Sequence, residues 1–131
     1  MTEATTLSYV KSFDLAEEIQ HLHARKPWPK KVTSNLLLKT DSLRIMLIGM
    51  EAGGRLEEHH NDGRISIHVL EGAVQIGVQQ QTQQFAAAQI LALDRSVPHD
   101  VEAIVDAVLL LTIAWPSAHE LAGMEHRGYG S

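Results

Sequence analysis

Cysteine is absent from the 131 residues. That excludes disulfides and thiolate metal sites and leaves only nitrogen and oxygen donors for any metal. Aromatic residues make up 5% of the chain. Tyr9, Phe13, Trp28, Phe85, Trp115 and Tyr129 are too dispersed to form a stacking platform for single-stranded nucleic acid. Basic residues are outnumbered, with 11 Lys and Arg against 16 Asp and Glu, for a net charge of −5. Phosphate binding needs a concentrated basic surface, so nucleic acid is not an expected partner. The basic cluster Arg25-Lys26-Pro27-Trp28-Pro29-Lys30-Lys31 reads as a solvated loop. No apolar run approaches the ~18 residues that would span a bilayer. The first residues carry Glu3 and lack the apolar core of a secretory signal. A cytoplasmic protein without membrane association is the expectation. Gly53-Gly54 stands without the rest of a phosphate-loop pattern, so no nucleotide cofactor is expected. Ser66 and Ser96 lack nucleophile-elbow context.

Length points to one domain over residues 1–131, large enough to bury a core without staples. Residues 14–25 read as a short N-terminal helix. Asp14 can cap it, Glu17 follows at capping-box spacing, and Leu15, Ile19 and Leu22 share one face. Pro27 ends it, and Trp28 can pin the connection that follows. His21 and His23 lie two residues apart on this helix and read as exposed.

From residue 32 the pattern changes to short strands, expected at 32–39, 43–50, 65–70, 74–78, 83–87, 90–93, 99–103 and 107–115. Turn signals separate them, among them Ala52-Gly53-Gly54, Asn61-Asp62-Gly63 and Glu71-Gly72. Gln79-Gln80-Gln81-Thr82-Gln83-Gln84 reads as a polar hairpin tip. Many short strands at near-regular spacing imply an all-β sandwich or barrel. The expected core is Leu47, Ile67, Val69, Val74, Ile76, Leu91, Leu93, Val101, Leu109, Leu111 and Ile113. The last strand, apolar on both faces, needs cover on both sides, and a second subunit can supply it. The tail 117–131, with His119 and His126, reads as a loose extension or one helical turn.

Two histidine-bearing segments carry the chemistry. The first is Gly53-Gly54-Arg55-Leu56-Glu57-Glu58-His59-His60-Asn61, and the second is Ile90-Leu91-Ala92-Leu93-Asp94-Arg95-Ser96-Val97-Pro98-His99. Together they resemble the two motifs of the cupin family. In the first motif, Gly53 is followed by five residues and then His59; Asn61 stands in the second histidine slot, Ile65 in the glutamate slot, and Gly72 closes the motif. In the second motif, Ala88, Asp94 and Ser96 stand where the family has glycine, proline and glycine, and His99 keeps its place. The local texture, with Glu58-His59-His60 leading to Gly63-Arg64-Ile65-Ser66-Ile67, is similar to that of small single-domain conserved-barrel cupins. The resemblance covers residues 43–115. It implies a jelly-roll β-barrel, a homodimer, and a pocket for a divalent metal (zinc, iron, nickel or manganese), a small molecule, or both.

The residues themselves leave the ligand set open. Successive strand side chains point to opposite faces, so a regular strand turns only one of His59 and His60 inward. With His59 comes Asn61; with His60 comes Glu58, and either set can join His99. The second set, two imidazoles and a carboxylate, is common in catalytic zinc and non-haem iron sites. A bulge can let both histidines reach a metal. The candidate metal residues are therefore His59, His60, His99 and Glu58. Two functional classes stand: a metal-dependent small-molecule enzyme, and a metal-free binding or sensing module. His68 alternates with Ile67 and Val69 and is expected to face outward, as is Glu102.

Overall fold

The computed structural model describes residues 10–59 and 62–116, with residues 58 and 59 described by their backbone alone. The helix α1 runs Leu15–Ala24, and the Asp14 carboxylate accepts the Glu17 backbone N–H at 3.2 Å. This is the N-cap expected from the sequence. A single 3₁₀ turn, Pro29–Lys31, leads into the first strand.

Nine strands follow among the described residues: β1 Val32–Lys39, β2 Leu43–Met50, β3 Arg55–His59, β4 Arg64–Glu71, β5 Ala73–Val78, β6 Gln81–Ala86, β7 Ile90–Leu93, β8 His99–Ala103 and β9 Ala107–Ala114. They form a larger sheet in the order β1-β2-β9-β4-β7 and a smaller sheet in the order β3-β8-β5-β6. Every ladder is antiparallel. The expectation of an all-β fold with one helix holds. The strands form two sheets, and no ladder among the described residues joins their edges into the expected barrel. Period-two alternation cannot separate these forms, because sandwich and barrel each bury one face of every strand.

Between the sheets lies the inner core. Ile48, Met50, Ile65, Ile67, Val69, Leu109 and Ile113 come from the larger sheet; Val74, Ile76, Phe85, Val101 and Ala103 come from the smaller. A second cluster lies outside the larger sheet, where α1 lays Leu22 against Leu37, Leu47, Val108 and Trp28. Leu47, expected in the core, is fully buried and lies on the face under the helix. Leu110 packs there too, so part of the outer face of β9 is covered by the chain's own helix.

Polar contacts fasten the end of α1. Trp28 donates its indole N–H to the Leu22 carbonyl at 2.9 Å and its backbone N–H to Glu51 at 2.6 Å. Lys26 pairs with Asp106 at 2.8 Å and lies 4.9 Å from the Trp28 ring centre. The bond from Lys26, aided by the Ala52 N–H, holds the Asp106 carboxyl below the usual aspartate range. His23, expected to be exposed, keeps its side chain 38% exposed while it donates to Glu71 at 2.7 Å and stacks on Trp28. The basic connection is accordingly a built corner rather than a free loop. The tail 117–131 lies outside the described residues.

Leu22 is fully buried at the centre of the outer cluster. Leu22→Ala should lower stability by about 2–5 kcal/mol. Chemical denaturation followed by circular dichroism checks this.

Candidate functional site

β8 gives the site its one described anchor. Its burial alternates, with His99, Val101 and Ala103 buried and Asp100 and Glu102 partly exposed. The buried phase faces the inner core, so the imidazole of His99 enters the space between the sheets, 2% exposed. Its Nδ1 lies 3.0 Å from the Val97 carbonyl oxygen. A carbonyl can only accept, so Nδ1 carries the proton, and in the neutral ring Nε2 keeps its lone pair. The Asp94–Pro98 turn therefore both delivers the histidine and fixes its tautomer.

β3 runs beside β8, and their ladder pairs Leu56 with Val101, then His59 with His99. Three steps on β3 match two on β8, which is a β-bulge at residues 57 and 58. The bulge resets the strand's phase, so His59, rather than Glu58, is the register partner of His99. On its other side His99 pairs with Val78 of β5. His60 and Asn61 lie outside the described residues.

The positions of the two motifs have clear backbone reasons. Gly53 and Gly72 adopt φ of 83° and 76°, the left-handed region that glycine enters freely. Ala88 and Ser96, where the family has glycine, adopt φ of 74° and 59°. These two side chains hold a conformation that costs an L-residue roughly 1–2 kcal/mol.

The glutamate slot is different. Ile65 is 5% exposed and belongs to the inner apolar cluster, so no carboxylate stands there. Among the described residues no three His, Asp or Glu side chains gather. The described residues do not fit the family's full metal set.

The outward residues behave as their phase requires. His68 sits half-buried on the outer face of the larger sheet, between buried Ile67 and Val69. Glu102 faces out and meets Arg55 at 3.0 Å, with Asp100 at 3.5 Å from the same guanidinium. A concavity of about 360 Å³ also opens at the larger sheet, lined by Arg64, Ser66, Ala92, Asp94, Thr112 and Ala114 together with Ile65 and Leu93. Arg64 and Asp94 already pair there at 3.0 Å. Bonds from the Arg95 backbone N–H and from Arg64 lower the Asp94 pKa. Most of the concavity's lining takes the outer strand phase, whereas Ile65 and Leu93 belong to the inner cluster.

No family model and no curated protein matches the sequence. Solved structures do. A conserved protein of unknown function from Streptococcus pyogenes aligns with a TM-score of 0.69 at 21% identity, over 90% of this chain and 98% of that one. A cupin superfamily protein from Desulfitobacterium hafniense gives 0.68 at 17% identity, over 86% and 98%. An RmlC-like cupin from Desulfovibrio desulfuricans gives 0.65 at 23% identity, over 81% and 97%. The chain has the fold of the cupin superfamily.

Ala88→Gly and Ser96→Gly should each raise stability by up to about 1 kcal/mol, the relief of left-handed strain less glycine's entropy in the unfolded chain. Thermal unfolding of both variants measures it, and a loss at Ser96 would reveal a role for its hydroxyl in the turn.

Proposed function

We propose that this chain is a cupin-type binding module that takes a small molecule at the end of the sandwich where His99 lies, with the His99 imidazole as its polar anchor. The supporting observation is the buried imidazole itself, whose Nδ1 is held by the Val97 carbonyl. That arrangement sets one polar side chain among the apolar residues between the sheets. Ile65 in the glutamate slot supports binding without a catalytic step.

A divalent metal is the second reading, favoured by the register that pairs His59 with His99. His99 and His59 would hold the ion, which would act as a Lewis acid toward a bound ligand. A backbone carbonyl on Nδ1 is the support that metal-bound histidines commonly have.

Two measurements separate the readings. Fragment screening by amide chemical shifts should perturb Val78, Val97 and His99, and His99→Ala should weaken binding about tenfold, roughly the loss of one good buried hydrogen bond. Shifts confined to Ser66, Ala92 and Thr112 would place the ligand on the outer concavity and end the leading reading. Metal content, measured on protein purified without added metal or a nickel column, tests the second. Near-stoichiometric zinc, iron, nickel or manganese should then be lost in His99→Ala and His59→Ala and kept in His60→Ala and His68→Ala. Its affinity should fall with pH as the imidazoles protonate.

We also propose a homodimer. Beyond the reach of α1, the outer face of the larger sheet leaves Ile90 59% exposed beside exposed Ala92. Sedimentation equilibrium should return about twice the chain mass; a monomer at high micromolar concentration refutes pairing.

A further inference from the structure

The end of the sandwich that carries His99 holds a second set of polar groups, on the β1–β2 hairpin. Lys39 of β1 and Arg44 of β2 stand directly opposite in the ladder. Both lie at the end where β9 finishes, since Leu43 and Arg64 each pair with Ala114. The loop from β7 to His99 turns at this same end, because Ile65 pairs with Leu93.

Arg44 has the inward phase of β2. Met46, Ile48 and Met50 of that phase enter the inner cluster, whereas Ile45 and Leu47 face α1. The guanidinium carbon of Arg44 lies 5.2 Å from the Trp115 ring centre, and Trp115 itself packs on the inner cluster. This cation–π contact engages the ring with the positive charge and uses none of the N–H donors as hydrogen bonds. Nε of Arg44 is buried and meets no acceptor among the described residues. No carboxylate among them pairs with Arg44 or Lys39; the ion pairs formed engage His23, Lys26, Arg55 and Arg64.

Two features here oppose folding unless something else answers them. Like charges directly opposite across antiparallel strands repel. A buried donor without an acceptor loses its solvation with nothing in return. One negatively charged, planar acceptor relieves both. It accepts from the edge of Arg44 and neutralises the Lys39–Arg44 pair. The surroundings select the rest of the ligand: Met46, Leu111 and Trp115 are half-buried and apolar.

We propose that Lys39 and Arg44 form the recognition site for the carboxylate of a small organic acid, with its hydrocarbon part lying against Trp115. This rests on the binding-module reading above and names its ligand class. The guanidinium fork matches a carboxylate's geometry, and Lys39 adds a point charge. The apolar surroundings favour an organic acid over inorganic phosphate. In a chain of net charge −5 this is a local positive spot, so attraction to it falls with added salt.

The test is isothermal titration of the full chain with benzoate, its neutral isostere benzamide, and inorganic phosphate. Benzoate should bind more tightly than either. Arg44→Met should weaken benzoate about tenfold or more, Arg44→Lys less, and Lys39→Gln about threefold, in keeping with one charged hydrogen bond and one screened charge. Arg64→Gln, on the outer face and paired with Asp94, should leave benzoate binding unchanged. Equal affinity for benzamide, indifference to Arg44→Met, tighter phosphate, or no benzoate binding in the millimolar range would each overturn the proposal. Benzamide binding that is lost in His99→Ala but untouched by Arg44→Met would remove the carboxylate site while leaving the His99 module in place.

Discussion

β2 and β9 run side by side through the larger sheet, and neither has a fully polar face. Met46, Ile48 and Met50 with Leu109, Leu111 and Ile113 require cover on one side; Ile45, Leu47, Val108 and Leu110 require it on the other. The smaller sheet supplies the first cover and α1 the second. Sheet packing is nondirectional, so it needs only apolar area in the right phase. The helix must be held at one angle over one patch, and directional contacts do that. The Trp28 indole bond to Leu22, the Lys26–Asp106 pair and the His23–Glu71 pair all lie at its C-terminal end. These surface pairs contribute little energy individually. Their value is geometric, since they fix where the buried Leu22 lands.

The same two-faced strands explain what the sequence could and could not reveal. Strands with one wet face, such as β4 and β5, are legible from alternation alone. The helix is legible from its cap and its period. For β2, a residue's side cannot be assigned when both phases are apolar: Leu47 is legible as core, but not as belonging to the helix-covered face. β3 escapes detection for another reason. Its Arg-Leu-Glu-Glu-His sequence is charged and its bulge breaks the period of two. The start of β6, Gln81 and Thr82, looks like part of the turn because only Phe85 is buried along the strand. The turn proper is Gln79-Gln80, both left-handed, which a two-residue hairpin needs and glutamine does not advertise. The engagement of His23 spans 48 residues to Glu71 and has no local signature.

At the site, the legible part is backbone and the illegible part is register. Motif spacing marks four left-handed positions, and Gly53, Gly72, Ala88 and Ser96 all adopt them. Two of the four have lost glycine and kept the conformation, so the turns that position His99 are dictated by the surrounding ladders rather than by local preference. The pairing of His59 with His99 depends on the bulge, which adds one residue to β3 and inverts the phase beyond it. A reading that assumes a regular strand turns His59 and Leu56 to opposite faces. In the bulged ladder Leu56 is the register partner of Val101 and His59 that of His99.

The burial of polar groups separates the two ends of the sandwich. At the end near Gly72 and Asp106, charges sit on the rim and are paired: Lys26 with Asp106, and Asp106 with the Ala52 N–H. At the other end, polar groups turn inward. His99 is the buried polar side chain there, and it is matched by Val97 at one nitrogen. Arg44 meets the Trp115 ring in a cation–π contact, and its Nε meets no acceptor among the described residues. Natural interiors satisfy nearly all buried polar groups, so inward donors without protein acceptors concentrate where a ligand arrives. Stability alone would favour an apolar residue in the phase of Met46 and Ile48 at position 44. A guanidinium held there by an aromatic ring, facing a second cation across the hairpin, is arranged for recognition rather than for packing.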